Sequence, residues 1–165
     1  MGVMTKGLEV VKIRLVKEEP LMNDRYVTCP EDAVQVLSDE LAEIDREVFA
    51  VLNFNTDGSV INMNIVSVGT LNSSMAYPRE VFKSSILSNA ASVILVHNHP
   101  SGHTKPSKAD YDITKRLIEA GEILGIDVLD HIIISGQNKQ RNYSLRDHDE
   151  LGKSYKEIKE KEYCR

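Results

Sequence analysis

The 165-residue chain has few of the features that mark specialised classes of protein. Its two cysteines, Cys29 and Cys164, are far apart and have no zinc-knuckle spacing, which predicts free thiols in a reducing cytoplasm. No apolar run approaches the roughly 20 residues that span a bilayer, and the first residues lack the apolar stretch of a signal peptide. Clusters of aromatic and basic residues are also missing, and the net charge of −5 disfavours a surface that coats nucleic acid. We therefore expect a cytoplasmic protein that does not bind membranes, and for which nucleic acid is a disfavoured but open partner.

What is present is the composition of an ordinary globular protein, with 41% apolar and 27% charged residues. The length suits one domain with a buried core, and the chain has no internal repeat and no long linker. We expect an N-terminal strand segment over residues 1–27, a main domain over 28–146, and a charged, helical tail over 147–165.

Strand-like and helix-like segments alternate along the chain. Leu8–Val16 alternates apolar and charged residues, which predicts an edge strand with which a second copy of the chain could pair. Further strands are predicted over Val48–Phe54, Val60–Val68, Ser92–His97 and Ile126–Ser135, and helices from Pro30 to about Ile44, from Pro78, and from Ser107 to Gly125. The buried stripe of the second helix is predicted to be Val81, Phe82, Ile86, Leu87 and Ala90. This order predicts an α/β protein in which helices flank a mixed central sheet.

The stretch VHNHPSGHTKPSKAD, residues 96–110, concentrates the polar residues that could carry chemistry. His97 and His99 are two apart in an extended segment, so their side chains point to the same side. Pro100 favours an extended His99, and Asp110 lies one turn into the helix that follows. Two imidazoles and one carboxylate from adjacent elements can converge as the ligands of an open tetrahedral zinc site, with water in the fourth position.

A second interpretation needs no metal. Ser107 and Asp110 have the spacing of a capping box, in which the carboxylate only satisfies a backbone N–H group at the helix start. His97 and His99 are then surface residues of a loop. Two histidines and one carboxylate also suit Fe(II). The residues and their spacing leave these interpretations open.

A longer pattern adds a family resemblance. The string H-N-H-P at positions 97–100, followed after six residues by Ser107 and after two more by Asp110, resembles the H-x-H-P-x6-S-x2-D signature of the JAMM (MPN-plus) metalloproteases. With YPREVF, NAASVILVHNHPSG and LGIDVLDHIII, the chain resembles the RadC family of bacterial JAB-domain proteins over about Thr28–Leu145. The resemblance implies a three-layer, cytidine-deaminase-like JAB/MPN fold. It also implies a zinc metallopeptidase or isopeptidase acting on a peptide or protein, with one zinc ion per chain held by the two histidines and Asp110.

The resemblance implies two catalytic residues as well. Glu47 would be the general base that takes a proton from the zinc-bound water and passes it to the leaving amine. Ser107 would stabilise the oxyanion in addition to capping the helix. From the residues alone, Glu47 is equally a solvated strand end, and Glu40 and Glu43 are weaker rivals for the role of base.

Other polar residues near these positions have less definite interpretations. His103 lies inside the six-residue gap and is expected to be a solvated loop residue, not a ligand. Asp130 and His131 precede an apolar strand, where they either orient a ligand histidine from behind or close a hydrogen bond at the sheet end. Two residues are expected at the rim of the site without an assigned role: Arg79 and Asn98.

Two other functions remain as alternatives. One is a DNA-repair-associated or nucleic-acid-binding accessory protein with a structural or vestigial metal site. In HNH nucleases, however, the H, N and H residues are spread over a hairpin and a helix. Many RadC proteins also carry an N-terminal helix-hairpin-helix-like region, whereas only 27 residues precede Thr28, so we expect the short form of the family. The other alternative is a non-catalytic interaction domain, against which the full ligand set argues.

Overall fold

The computed structural model describes residues 12, 14–19, 30–41, 44–69 and 76–153. Across these residues, three helices flank a five-stranded mixed sheet, which confirms the predicted α/β architecture and is consistent with a JAB/MPN fold. The elements in chain order are α1 (Pro30–Leu41), β1 (Glu47–Phe54), β2 (Val60–Gly69), α2 (Pro78–Leu87), β3 (Ser92–His99), α3 (Lys108–Leu124), β4 (Asp127–Ser135) and β5 (Asn142–Ser144).

The order of strands across the sheet is β2-β1-β3-β4-β5. β1 is antiparallel to both β2 and β3, β3 is parallel to β4, and β4 is antiparallel to β5. A parallel pair needs a crossover connection, and α3 provides it between β3 and β4. The carboxyl end of the central strand β3 therefore leads directly into the segment before α3, which brings both halves of residues 96–110 to one end of the sheet.

The sheet is covered on both faces. Val48 and Leu52 of β1 pack in the core cluster that includes α1, while Phe49 and Val51 pack in the cluster that includes α2 and α3. Every residue of β1 after Glu47 is buried, as expected for an almost wholly apolar strand between two layers of helices. The three layers are thus α1, the sheet, and α2 with α3.

The connections follow the turn signals in the sequence. β1 and β2 form an antiparallel hairpin around residues 55–58, and Gly58 has a φ of 83°, a conformation that glycine adopts without strain. Gly125 ends α3 in the left-handed conformation with a φ of 68°. Both confirm the predicted boundaries. None of the helices in the described part of the chain has the length and apolarity needed to span a bilayer.

Three predictions about the ends of the elements need correction. The predicted strand Leu8–Val16 lies mostly outside the described residues, and those of its residues that are described, Lys12 and 14–16, are not in a strand. Val16 is 80% exposed. An alternating pattern makes a segment amphipathic, but it does not determine whether another strand pairs with that segment. The first helix ends at Leu41, before Ile44. Residues 147–153 form turns and no helix, and the rest of the predicted tail lies outside the described residues.

The buried face of α2 also differs from the predicted stripe. Val81 and Phe82 are buried as predicted, but Ile86 is 52% exposed and Leu87 is only partly buried. The inward positions belong to Ser84 and Ser85. Ser85 lies four positions after Val81 and three after Phe82, in the middle of the buried face, whereas Ile86 lies four after Phe82 but five after Val81, beyond the edge of that face. The position of each residue around the helix, and not the apolarity of its side chain, determines which residues of α2 are buried.

Candidate metal centre

The end of β3 carries two histidines on one side of the sheet. β3 continues to His99, two residues beyond the predicted end, so that His97 and His99 point the same way in a strand. His97 is buried and its ring stacks on Phe49, with the ring centroids 5.9 Å apart and the planes 9° from parallel. The Nε2 atoms of His97 and His99 lie 3.0 Å apart. The strand thus brings two ring nitrogens to one point.

The start of α3 brings a carboxylate to the same point. Ser107 is the N-cap of α3: its Oγ accepts from the Asp110 backbone N–H at 3.2 Å, and its own N–H donates to Asp110 Oδ2 at 2.6 Å. Asp110 Oδ1 lies 3.3 Å from His97 Nε2, and Asp110 Oδ2 lies 3.5 Å from His99 Nε2. The capping box and the three-residue cluster therefore coexist, because the carboxylate has two oxygens and serves both.

The far side of the His99 ring determines where its proton lies. His99 Nδ1 is 2.6 Å from the backbone carbonyl oxygen of His103. A carbonyl oxygen only accepts hydrogen bonds, so Nδ1 carries the ring proton and donates it. In the neutral ring, Nε2 then presents a lone pair towards His97 and Asp110. The expectation that His103 is not a ligand matches its position, because its side chain is exposed and its carbonyl group makes the contact.

Electrostatics favour a positive charge among these three side chains. Burial opposes ionisation of Asp110, but hydrogen bonds with His97 and His99 outweigh it and hold the pKa of the carboxyl well below its usual range. Burial also lowers the pKa of His99, yet the contacts with Asp110 and the His103 carbonyl, together with the charge of Glu47, raise it overall. A shared proton or a metal cation would satisfy the same atoms.

The cluster fits a transition-metal ion in donor chemistry and in size. His97, His99 and Asp110 form a group that could hold a metal ion, the only such group of at least three His, Cys, Asp or Glu residues in the described part of the chain. Zinc bonds of about 2.0–2.1 Å in a tetrahedron separate the ligand atoms by roughly 3.3 Å. The three contacts measure 3.0, 3.3 and 3.5 Å. Three protein ligands leave one position for water or substrate, which is the arrangement of catalytic zinc sites.

Glu47 lies beside this cluster on the neighbouring strand. It is the half-buried first residue of β1, and Phe49 is paired with His97 in the antiparallel register. The paired residues end at Phe49 and His97, and Glu47 lies two positions before Phe49, where its charge contributes to the raised pKa of His99. Its carboxylate is not part of the three-residue group. This placement suits a base beside the metal position, and the catalytic role itself stays a prediction.

The expectation that Asn98 lies at the rim of the site is wrong. Asn98 is completely buried on the opposite side of β3. Its Nδ2 donates to the carbonyl oxygens of Leu41 at 3.2 Å and Arg46 at 3.0 Å. Its Oδ1 accepts from the Val48 N–H at 2.7 Å. Asn98 therefore ties the end of α1 and the start of β1 to the strand that carries the two histidines, which fixes the position of Glu47.

The remaining candidates are Glu40, Glu43 and Arg79. Glu40 is part of α1, and Glu43 lies outside the described residues. The Arg79 guanidinium lies over the Tyr77 ring, 5.0 Å from its centroid, and pairs with Glu80 at 3.5 Å. Neither Glu40 nor Arg79 belongs to the group that could hold a metal ion.

Asp130 and His131 make separate contacts, and each set of contacts is compatible with one of the two interpretations. His131 lies behind His97, with its Nε2 atom 2.8 Å from His97 Nδ1. Asp130 closes hydrogen bonds at the sheet end, accepting from Ser144 Oγ at 2.5 Å and from the His131 backbone N–H at 2.6 Å. Sequence analysis missed Thr114, which is buried against His131. Its position four residues after Asp110, on the same helix face, was the available signal.

Comparisons with known proteins show the family to which the chain belongs. A model of the RadC-like JAB domain matches residues 27–151. A UPF0758 protein of Desulforamulus reducens is 57% identical over 113 residues, covering 68% of this chain and 49% of the relative. For a UPF0758 protein of Geobacillus thermodenitrificans the identity is 48% over 126 residues, covering 73% and 56%. For one of Desulforudis audaxviator it is 55% over 119 residues, covering 72% and 51%. The chain spans about half the length of the curated relatives it matches.

Proposed function

Because the chain belongs to the RadC-like JAB domain family, we propose that it is a zinc-dependent metallopeptidase or isopeptidase of the JAMM type. The observation that carries this proposal is the convergence of His97, His99 and Asp110, with contacts of 3.0–3.5 Å between their ligand atoms. Unprotonated ring nitrogens facing a carboxylate repel one another unless a cation lies between them. The proposed ligand set is these three residues with one zinc ion per chain.

The proposed chemistry divides between the metal and the protein. Zinc held by three protein ligands lowers the pKa of a bound water towards 7 and polarises a carbonyl group. The Glu47 carboxylate, beside His99, takes up the proton released from the nucleophile and returns it to the leaving amine. The amide bond belongs either to a peptide backbone or to an isopeptide link with a lysine side chain.

Ser107 can serve in catalysis without giving up its capping role. The cap uses a lone pair of Oγ, which accepts from the Asp110 N–H. A serine hydroxyl also has one proton to donate, and the cap does not need it. We assign that proton to the oxyanion that forms when the carbonyl carbon is attacked, a contact that contributes most in a site from which water is excluded.

The test is metal-dependent hydrolysis by the purified 165-residue chain. The protein is stripped of metal, reloaded with zinc, and incubated with a library of linear peptides and lysine isopeptides, with products identified by mass spectrometry. We expect cleavage that needs zinc and that is lost in Glu47→Gln and His97→Ala. Cleavage no greater than that of the Glu47→Gln protein for every substrate would overturn the assignment as a peptidase.

A further inference from the structure

A buried chain of hydrogen bonds runs behind His97, on the side away from His99. His97 Nδ1 lies 2.8 Å from His131 Nε2, and His131 Nδ1 lies 2.5 Å from Thr114 Oγ1. Thr114 Oγ1 in turn contacts the backbone carbonyl oxygen of Asp110 at 2.5 Å. His131 and Thr114 are at most 1% exposed. We call His131 and Thr114 together the relay, which starts at the backbone of one proposed ligand and ends on the ring of another.

The donor and acceptor of each bond follow from the first. The Asp110 carbonyl oxygen only accepts, so the single hydroxyl proton of Thr114 must be donated to it. Thr114 Oγ1 then has only lone pairs left for His131, so His131 Nδ1 must carry a proton and donate it. These two directions rest only on the chemistry of a carbonyl and a hydroxyl group.

The relay also decides the state of the His97 ring. His131 is completely buried, and its two ring nitrogens contact a hydroxyl group and an imidazole, neither of which is a negative partner for a cation. With its one proton on Nδ1, His131 Nε2 is an acceptor, so His97 Nδ1 must be the donor of the 2.8 Å bond. In the neutral His97 ring, Nε2 then has a lone pair, which faces Asp110 and His99.

We propose that His131 and Thr114 are positioning residues of the metal site, which hold His97 with its proton on Nδ1 and its Nε2 lone pair directed at the metal position. The inference rests on the metal-binding part of the proposed function and not on peptidase activity. It extends the role of Asp110, whose carboxylate binds on one side while its backbone carbonyl fixes the proton of His97 on the other. The relay thereby links the position of Asp110 on α3 to the orientation and proton position of His97 on β3.

A purely structural role for these buried groups makes a different prediction. His131 and Thr114 also join β4 to α3, so any substitution there affects stability. If stability were their only role, zinc affinity would follow the loss of stability, whichever ring nitrogen lost its partner. The relay predicts instead that affinity depends on whether His97 Nδ1 keeps an acceptor.

Two matched pairs of variants separate these cases. His131→Gln keeps a side-chain amide near the position of Nε2, where its oxygen accepts from His97, whereas His131→Asn keeps one near Nδ1 only. Thr114→Ser keeps the hydroxyl group and Thr114→Val removes it. Zinc affinity is measured by competition with a chromophoric chelator. The proton positions of His97 are measured by ¹⁵N NMR of the metal-free chain at alkaline pH, where the imidazoles are neutral.

We expect zinc affinity to fall roughly ten- to hundredfold in His131→Asn and Thr114→Val, and to stay near the wild-type value in His131→Gln and Thr114→Ser. In the metal-free wild-type chain, His97 should carry its proton on Nδ1, and in Thr114→Val the Nε2-protonated form should appear. An Nε2 proton in the wild type, or equal affinity within both pairs, would overturn the relay. If His131→Asn does not fold, the Thr114 pair decides. If neither the wild type nor any variant binds zinc, the proposed function fails, and the NMR result alone tests the relay.

Discussion

Asn98 Oδ1 accepts a hydrogen bond from the backbone N–H of Val48 at 2.7 Å, which fastens the residue between the two ligand histidines to the strand that begins at Glu47. The same side chain donates to the carbonyl oxygens of Leu41 and Arg46. The distance between the proposed base and the proposed ligands is therefore fixed by this buried amide in addition to the pairing of β1 with β3. The side chain of Asn98 lies on the face of β3 opposite to the metal position.

Asn98→Ala is predicted to destabilise the metal-free protein by about 2–4 kcal/mol, because it leaves the Val48 N–H group and the Arg46 carbonyl group without the partner that Asn98 supplies and removes one of the two hydrogen bonds to the Leu41 carbonyl. The free energy of unfolding is measured by urea denaturation. Asn138→Ala, which removes a hydrogen bond in an exposed turn, is the control and should cost less than about 1 kcal/mol. Equal costs in both variants would contradict a fastening role for Asn98.

Glu47→Gln is predicted to abolish general-base catalysis while leaving metal binding intact. The carboxylate lies next to His99 but outside the group that could hold a metal ion, so the amide should retain zinc and lower kcat roughly 10²- to 10⁴-fold. Zinc content and kcat are measured on the same preparation. Glu40→Gln, in α1, is the matched control and should behave like the wild type. Loss of zinc together with activity would instead make Glu47 a ligand.

Substitutions of Ser107 can separate its two roles. Ser107→Ala removes the helix cap and the hydroxyl group, which should cost about 1 kcal/mol of stability and lower kcat roughly 10²- to 10³-fold. Asparagine is also a good N-cap, so Ser107→Asn should recover most of the stability but not the activity. Thermal unfolding and kcat are measured for both variants. Recovery of full activity in Ser107→Asn would limit Ser107 to capping.

The stability of the metal-free protein is predicted to decrease as the pH is lowered, because of His131. Burial, together with the charge of His97, lowers the pKa of this ring well below its ordinary value. Above an unfolded pKa of about 6.5 both states are neutral. Below it the unfolded chain takes up a proton that the folded chain does not, so the free energy of unfolding falls by up to about 1.4 kcal/mol per pH unit.

His131→Gln should remove this dependence. The raised pKa of His99, to which His131 does not contribute, is present in both proteins, and its effect largely cancels in the comparison. Urea denaturation of the two metal-free proteins between about pH 7 and pH 5 measures the difference. We expect wild-type stability to fall relative to that of the variant as the pH falls. Parallel profiles would show that His131 takes up a proton in the folded state.

Local patterns were enough to predict the parts of the site that are close in sequence. The H-x-H spacing in a strand and the S-x-x-D spacing at a helix start predicted that His97, His99 and Asp110 lie at one end of the sheet. The family resemblance, which the comparisons confirm, supplied Glu47, fifty residues before His97, because no local pattern links β1 to β3. The position of Glu47 relative to the two histidines depends on the antiparallel register of β1 and β3.

Thr114 was missed for the same physical reason, whereas a place for His131 behind a ligand histidine was one of the two sequence-based interpretations. Thr114 and His131 are 17 residues apart and meet only because α3 packs against β4 after a parallel crossover. The amphipathic pattern predicted most of the elements, but not which strands pair. It therefore predicted a strand at Leu8–Val16, for which the described residues show no pairing, and placed Ile86 inside instead of Ser85.

The central claim, that His97, His99 and Asp110 hold a catalytic zinc ion, is tested most directly by the metal content of the purified chain. Elemental analysis of the wild-type protein and of His97→Ala, Asp110→Ala and His103→Ala gives the number of zinc ions per chain. We predict about one zinc ion in the wild type and in His103→Ala, whose exposed side chain is not a ligand, and almost none in the other two. Full retention of zinc in both His97→Ala and Asp110→Ala would contradict the account.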